Sequence, residues 1–544
     1  MHPVKLLSRL RWILPTIALT GAALAGVPPF IFDEATIEEL QARMNAGTLT
    51  SQDLTTAYLQ RIAEIDRAGP GLNAVIELNP DALASAAQLD AERREGRVRG
   101  PLHGIPILIK DNIGTADGMQ TTAGSLALVG AKPARDAHLV TRLREAGAVI
   151  LGKTNLSEWG LFRDGKARSG WSGRGGQTHN PYALDCSPSG SSSGSAAAVA
   201  ANLCVVAVGT ETDGSILSPA SVCGIVGVKP TVGLVSRSGV IPISASQDTP
   251  GVMARTVRDA AILLSVLAGT DEQDAVTLAR ERPAAASLAA PFRRHALRGA
   301  RLGVVTGPFG LDPRLKAQLE EAVAALKATG AEIVCSVDFP NFLKLDDPER
   351  EVLLYEFKAG INAYLASLGS RTPVKSLADL ITYNETHAAQ EMPYFKQEIF
   401  LLAQAKGPLT EPAYREALAA CRRIARTEGI DYLMDKYHLD ALVALTGPPA
   451  WLIARPRGEG VATLGGSCQP AAVAGYPSVT VPATLVDGRP VGLSFIGRPW
   501  SEPRLLAMAA NFEAAAQARE IPKYLPHSLA KTRKHGAGMP VPWE

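Results

Sequence analysis

Residues 204–216 read Cys204-Val-Val-Ala-Val-Gly209-Thr-Glu-Thr-Asp-Gly214-Ser215-Ile216, an apolar run that ends in a polar turn between glycines. A short, continuous apolar run of this kind suits a strand covered on both faces. Pro219 and Ala220 follow at a helix start. Strand, tight turn and helix in that order let successive backbone N–H groups converge on one point, as an oxyanion site requires. Upstream, Ser189-Gly190-Ser191-Ser192-Ser193-Gly194-Ser195 precedes a helix of small residues over Gly194 to Asn202. Further upstream, His103-Gly104-Ile105-Pro106-Ile107-Leu108-Ile109-Lys110-Asp111-Asn112 is a buried strand with a lysine at its end. A lysine directly after an apolar run is unusual inside a sheet. Its innocent reading is a strand end that reaches water.

The same alternation extends in both directions. Strands are expected at Leu72–Leu78, Ile105–Ile109, Ala148–Leu151, Cys204–Val208 and Ile225–Val228, with a helix over Asp136–Ala146. Arg301–Val305, Leu315–Ala328 and Glu332–Val337 read as a second strand–helix–strand unit. Residues 348–437 have helical period. Strands return at Ala441–Leu445, Ser478–Pro482 and Val491–Ile496, and a closing helix starts at Glu502. Near the N-terminus, Thr36–Ala46 and Ser51–Arg67 read as amphipathic helices, with Thr50 or Ser51 capping the second. Alternation of this kind argues an α/β fold. No repeat and no long Ser/Pro linker divides the chain. The expectation is one large α/β unit over residues 26–544, with a mostly helical insertion at about 343–437.

The first 25 residues differ from the rest. Lys5, Arg9 and Arg11 precede an apolar run from Trp12 to Ala25, and Ala23-Leu24-Ala25 supplies a small-x-small cleavage site. That is the order of a secretory signal peptide. The run is short for a membrane span, and Pro15 interrupts it. The expectation is a periplasmic or secreted protein that starts near Gly26, with no membrane association after cleavage. The 544 residues carry 55 basic and 53 acidic side chains, so no basic excess is available for nucleic acid. The six cysteines form no CxxC and no Cys/His pair at zinc spacing, so no metal site is expected. Export permits disulfides, whereas Cys204 and Cys223 sit among Ala, Val and Ile as buried thiols do.

Two motifs imitate chemistry. Gly147-Ala-Val-Ile-Leu-Gly152-Lys153-Thr154 matches the phosphate-loop pattern GxxxxGK[ST]. The four residues between its glycines are β-formers, and N–H groups committed to a sheet cannot cradle a phosphate. Gly190-Ser-Ser-Ser-Gly194 matches GxSxG, centred on Ser192. A nucleophile elbow needs an apolar strand running into it, and here Asp185-Cys186-Ser187-Pro188 does the approaching.

Together, the strand ending in Lys110, the serine loop at 189–195 and the turn at 209–216 resemble the amidase signature family of serine hydrolases. The resemblance continues in "SRSGVIPISASQDTPGVMARTVRD" (residues 236–259), "GYPSVTVP" (475–482) and "PVGLSFIG" (490–497). It therefore covers most of the mature chain. It implies an amidase-signature fold, a large mixed β-sheet core covered by helices on both faces, and no cofactor. It also implies Lys110 as base, Ser191 as a bridging serine that follows a cis peptide bond, and Ser215 as nucleophile. Thr212, Asp213, Gly214 and Ser215 match the oxyanion hole. This chain departs from the family at Glu211, where most members have Asp, and at Asp213, Ser189 and Ser193, where glycines are usual. A side chain at 213 is tolerable if its φ is negative and its carboxylate is turned away from the oxyanion.

Within the family, "GTETDGSI", "GKTNLSEW", "SGW…RGGQT…NPY" and "LLYEFKAGI" look most like secreted bacterial members that hydrolyse C-terminal carboxamides of peptides. A small peptide amide is the substrate so implied, with small aliphatic or aryl amides as the alternative. Trp171, Gly175 and Gly176, in the Gly-rich loop 170–182, are candidates for contacting the peptide. The same glycines could simply serve a surface turn. A subunit of a tRNA-dependent amidotransferase is disfavoured by the signal and the neutral charge. Three readings outside the family remain: an esterase using Ser192 with a histidine such as His527, an ATPase using Lys153, and a non-catalytic periplasmic binding protein.

Overall fold

The computed structural model describes residues 29–306, 313–453 and 467–528. The signal-like segment lies outside the described residues. Thirteen strands are defined among them: β1 (Val75–Leu78), β2 (Pro106–Lys110), β3 (Val149–Thr154), β4 (Trp171–Ser172), β5 (Gly176–Gln177), β6 (Val206–Glu211) and β7 (Val226–Lys229). Then follow β8 (Thr249–Ala254), β9 (Arg301–Val305), β10 (Glu332–Val337), β11 (Ala441–Leu445), β12 (Ser478–Val486) and β13 (Arg489–Ile496). Eleven of them form one mixed sheet in the order β1-β3-β2-β6-β8-β7-β12-β13-β11-β9-β10, while β4 and β5 make a small hairpin. Every residue of β2, β3, β7, β8, β11 and β13 is buried. Side chains alternate between faces along a strand, so burial at every position means that helices and loops cover both faces. This is the α/β architecture expected from the alternation.

Each strand anticipated from the sequence is present, with ends moved by a few residues. The hairpin strands β4 and β5 were not anticipated, nor was one strand of the large sheet. β8 carries Pro250 and Gly251, which punctuate its sequence like a loop. It nevertheless pairs antiparallel with both β6 and β7. Gly251 is needed there because a Cβ at this position would lie 2.3 Å from the Val228 carbonyl oxygen. Strand geometry also disposes of the phosphate-loop match. Gly152 and Lys153 lie inside β3, and Lys153 Nζ donates to Ile113 O (2.7 Å) and Thr121 Oγ1 (2.9 Å).

At the N-terminus, Thr36 forms a capping box with Glu39, and Thr50 caps the helix Ser51–Arg61 by accepting from Asp53 N–H. Between β10 and β11 the chain is helical, with Asp346–Ser367, Leu377–Thr386, Glu398–Gln404, Pro412–Arg422 and Asp431–Lys436. The six cysteines are free thiols, and all but Cys335 are buried.

Candidate active site

The parallel pairing of β2 with β6 sets Ile109 against Val208 and brings the end of β2 beside Thr210. The Lys110 side chain is fully enclosed there, at 1% exposure. Its Nζ lies 2.8 Å from Ser191 Oγ, 2.9 Å from Thr210 Oγ1 and 3.1 Å from Thr210 O. Burial disfavours the ammonium and pushes the Lys110 pKa down to about 7, while Asp248 and Glu211 oppose the fall. A lysine in this state is available as a base near neutral pH.

Ser191 comes from the serine loop, whose hydroxyls are committed one by one. The Gly190–Ser191 peptide bond is cis. Ser157 N–H donates to Ser191 O (3.1 Å), and a Cβ on Gly190 would lie 2.1 Å from Ser157 Oγ. Ser189 sits at φ +58°, a position that favours glycine, and its hydroxyl pairs with Ser218 Oγ at 2.8 Å. Ser193 Oγ donates to Ser189 O at 2.6 Å. These bonds account for the serines that stand in place of family glycines. Ser192 Oγ donates to Thr210 O (3.0 Å) and accepts from Thr210 N–H (3.2 Å). No histidine is hydrogen-bonded to it among the described residues. His527 is 70% exposed and pairs with Asp185. The GxSxG serine is thus an anchor between loop and strand.

The turn after β6 presents Ser215. Gly214 adopts φ +71°, Ser192 N–H donates to Ser215 O (3.0 Å), and Ser218 N–H closes on Gly214 O (2.8 Å). Ser215 is thereby held beside the serine loop, 6% exposed. Glu211 replaces the usual Asp without losing its bonds. Its Oε2 accepts from Ile216 N–H (2.7 Å) and Leu217 N–H (3.0 Å) at the start of the helix Leu217–Val222. Asp213 is outside the left-handed region, as its position requires. Burial first, and then Glu349, Glu211 and Asp346, raise its pKa well above the ordinary carboxyl range, with Lys229 opposing. The raised pKa lessens the negative charge at 213, and with it the penalty of an anion next to any oxyanion held there.

Asp248 was not singled out from the sequence, although it lies inside the quoted 236–259 stretch. Its Oδ1 accepts from Thr212 Oγ1 (2.5 Å) and its Oδ2 from Ile243 N–H (2.7 Å) and Ser244 N–H (2.8 Å). It therefore ties the 241–244 loop to the turn that carries Ser215. Burial raises its pKa to about 6. Asn112 Nδ2 donates to Thr210 Oγ1 at 3.0 Å, on the other side of the same loop.

Two cavities meet here. A slot of about 20 Å³ is bounded by Lys110, Ser191, Leu156, Trp159 and Phe357. Thr210, Thr212 and Ile241–Ile243 form walls common to the slot and to a larger cavity of about 400 Å³, which extends to Arg237 and Glu356. Trp171, Gly175 and Gly176 line neither cavity. Trp171 is buried edge-on against Phe395 and Tyr394, with ring centroids 5.2 and 5.5 Å away. A Cβ on Gly175 would lie 2.3 Å from Asn155 Oδ1, and Gly176 has φ +67°. Their glycines serve close packing and a turn.

The amidase family profile matches residues 53–506. A probable amidase of Arabidopsis thaliana is 43% identical over 505 residues, covering 91% of this chain and 93% of that protein. The structure of native peptide amidase from Stenotrophomonas maltophilia superposes with a TM-score of 0.86 at 53% identity, covering 91% of this chain and 100% of that one. The complex of the peptide amidase PAM with the competitive inhibitor chymostatin gives a TM-score of 0.87 at 54% identity, covering 90% and 99%. Profile, relatives and fold agree: the chain is an amidase hydrolase and belongs to the amidase signature family.

Proposed function

We propose that this amidase hydrolyses unsubstituted C-terminal carboxamides of peptides to the free acid and ammonia through an acyl-enzyme. The observation that carries the mechanism is the buried Lys110 Nζ, 2.8 Å from Ser191 Oγ. Neutral Lys110 takes the Ser215 proton by way of Ser191, and Ser215 Oγ bonds to the carbonyl carbon. Backbone N–H groups of residues 212–215 hold the oxyanion. As the C–N bond breaks, the proton returns through Ser191 to the nitrogen, and ammonia leaves. Water then attacks the ester, giving its proton to Lys110 by the same relay, and Ser215 is restored with release of the acid.

The peptide preference rests on the likeness to peptide amidase, and the larger cavity offers room for residues that precede the carboxamide. One peptide in three forms tests it: C-terminal amide, free acid, and extended by one residue. Ammonia should be released from the amide alone, as read by mass spectrometry. Cleavage of the extended form would make the enzyme a peptidase. Activity confined to small aryl or aliphatic amides would transfer the proposal to those substrates.

The order of charges, apolar run and Ala-Leu-Ala in residues 5–25 supports export. N-terminal sequencing of protein from the native host should begin near Gly26. Cytoplasmic material beginning at Met1 would contradict it.

A further inference from the structure

The slot beside Lys110 is too small for a substrate and well suited to one part of it. A site holds a water when roughly 10–15 Å³ is open to it, so about 20 Å³ accommodates one –NH2 or NH3 group and no more. In the proposed reaction the leaving nitrogen receives its proton from Ser191, and Ser191 and Lys110 both border this slot. Ser215 lines neither cavity, so the contact with Ser191 and Lys110 is what marks the slot as the place for that nitrogen.

Asn112, Thr210 and Thr212 give the slot one polar side, and the walls opposite are carbon. Phe357 is fully buried, stacked on Phe400 (5.2 Å) and edge-on to Phe162 (5.2 Å). Trp159 meets Phe400 edge-on at 5.8 Å, and its backbone N–H donates to Ala123 O (3.0 Å). Trp159 itself stands at φ +50°. On the loop side, Ile243 is pinned through its N–H to Asp248. A Cβ on Gly160 would lie 2.5 Å from Ile243 Cδ1 and 3.6 Å from Ser191 Oγ, so even one carbon is excluded at that corner.

We propose that this slot is the leaving-group pocket, and that Trp159, Ile243 and Phe357 restrict the enzyme to unsubstituted carboxamides. The assignment rests on the peptide-amide reading and supplies its physical cause. A continuing peptide chain, or a single N-methyl group, meets rigid walls instead of solvent, which is specificity by exclusion.

The test uses the full enzyme and one peptide as its C-terminal amide and its N-methylamide, with ammonia and methylamine as products. The quantity read is the ratio of kcat/KM for N-methylamide to that for amide. In the parent the ratio should be very small. Ile243→Ala, which removes a half-buried side chain, should raise it about 10- to 100-fold, the range one methylene commands in a tight pocket. Phe357→Leu should raise it in the same direction and guards against misfolding of the first variant. A parent that hydrolyses both peptides comparably would overturn the assignment. So would variants that still release ammonia with the ratio unchanged. A parent inactive on the amide itself would instead refute the substrate reading, separately from the slot.

Discussion

Ser215→Ala should abolish both turnover and covalent labelling by a fluorophosphonate, whereas Ser192→Ala should still be labelled. The two serines belong to turns that touch through the Ser192 N–H to Ser215 O bond, yet their hydroxyls differ in commitment. Ser192 Oγ is engaged with both backbone groups of Thr210, so removing it takes the side-chain acceptor from Thr210 N–H, while Thr210 O keeps its bond from Lys110 Nζ. That costs about 1–3 kcal/mol of stability and touches no step of the chemistry. Ser215 Oγ makes no such bonds. It stands on the turn after β6, held beside the serine loop by the Ser192 N–H to Ser215 O bond. For Ser215→Ala the expected loss of kcat/KM is roughly ten-thousand-fold or more, because no other residue replaces the nucleophile. Labelling of Ser215→Ala together with its loss in Ser192→Ala would restore the elbow reading.

What could be read from the sequence followed the length over which each signal extends. The Lys110 strand, the serine loop and the Ser215 turn are contiguous stretches whose own pattern gives the element, and the parallel pairing of β2 with β6 brings them together. β8 was hidden because Pro250 and Gly251 normally end strands. Here Gly251 lets β7 approach, a requirement visible only when the neighbouring strand is in place. The slot was hidden for another reason. Its walls come from Leu156, Trp159, Ile243 and Phe357, positions separated by up to two hundred residues and each apolar in an ordinary way. Asp248 shows the same limit, since nothing in "SASQDTPG" distinguishes a half-buried carboxylate that accepts three hydrogen bonds from a turn residue facing water. The packing of the loop at 170–182 was hidden as well. Its glycines and tryptophan look like a binding surface, but Arg174 joins Asp111 and Glu77, and Trp171 packs inward.

Lys110→Ala should be about as damaging as loss of the nucleophile, and the Lys110→Ala, Ser215→Ala double variant should be little worse than either alone. Residues that act as one unit give losses that do not multiply. Multiplicative losses would show that Lys110 acts on a separate step. The pH dependence follows from the same burial. Only neutral Lys110 can accept a proton, and its pKa lies near 7 because desolvation outweighs the attraction of Asp248 and Glu211. Log kcat/KM, which reports the free enzyme, should therefore fall as pH drops below about 7 and level off above it. Asp248 supplies a sign test. Its negative charge favours the ammonium, so Asp248→Asn should move the midpoint to lower pH. It also holds Thr212 and the 241–244 loop, so the height of the profile should fall as well. The height measures positioning and the midpoint measures charge. A midpoint that stays in place in Asp248→Asn, or moves upward, would mean that another group governs the limb.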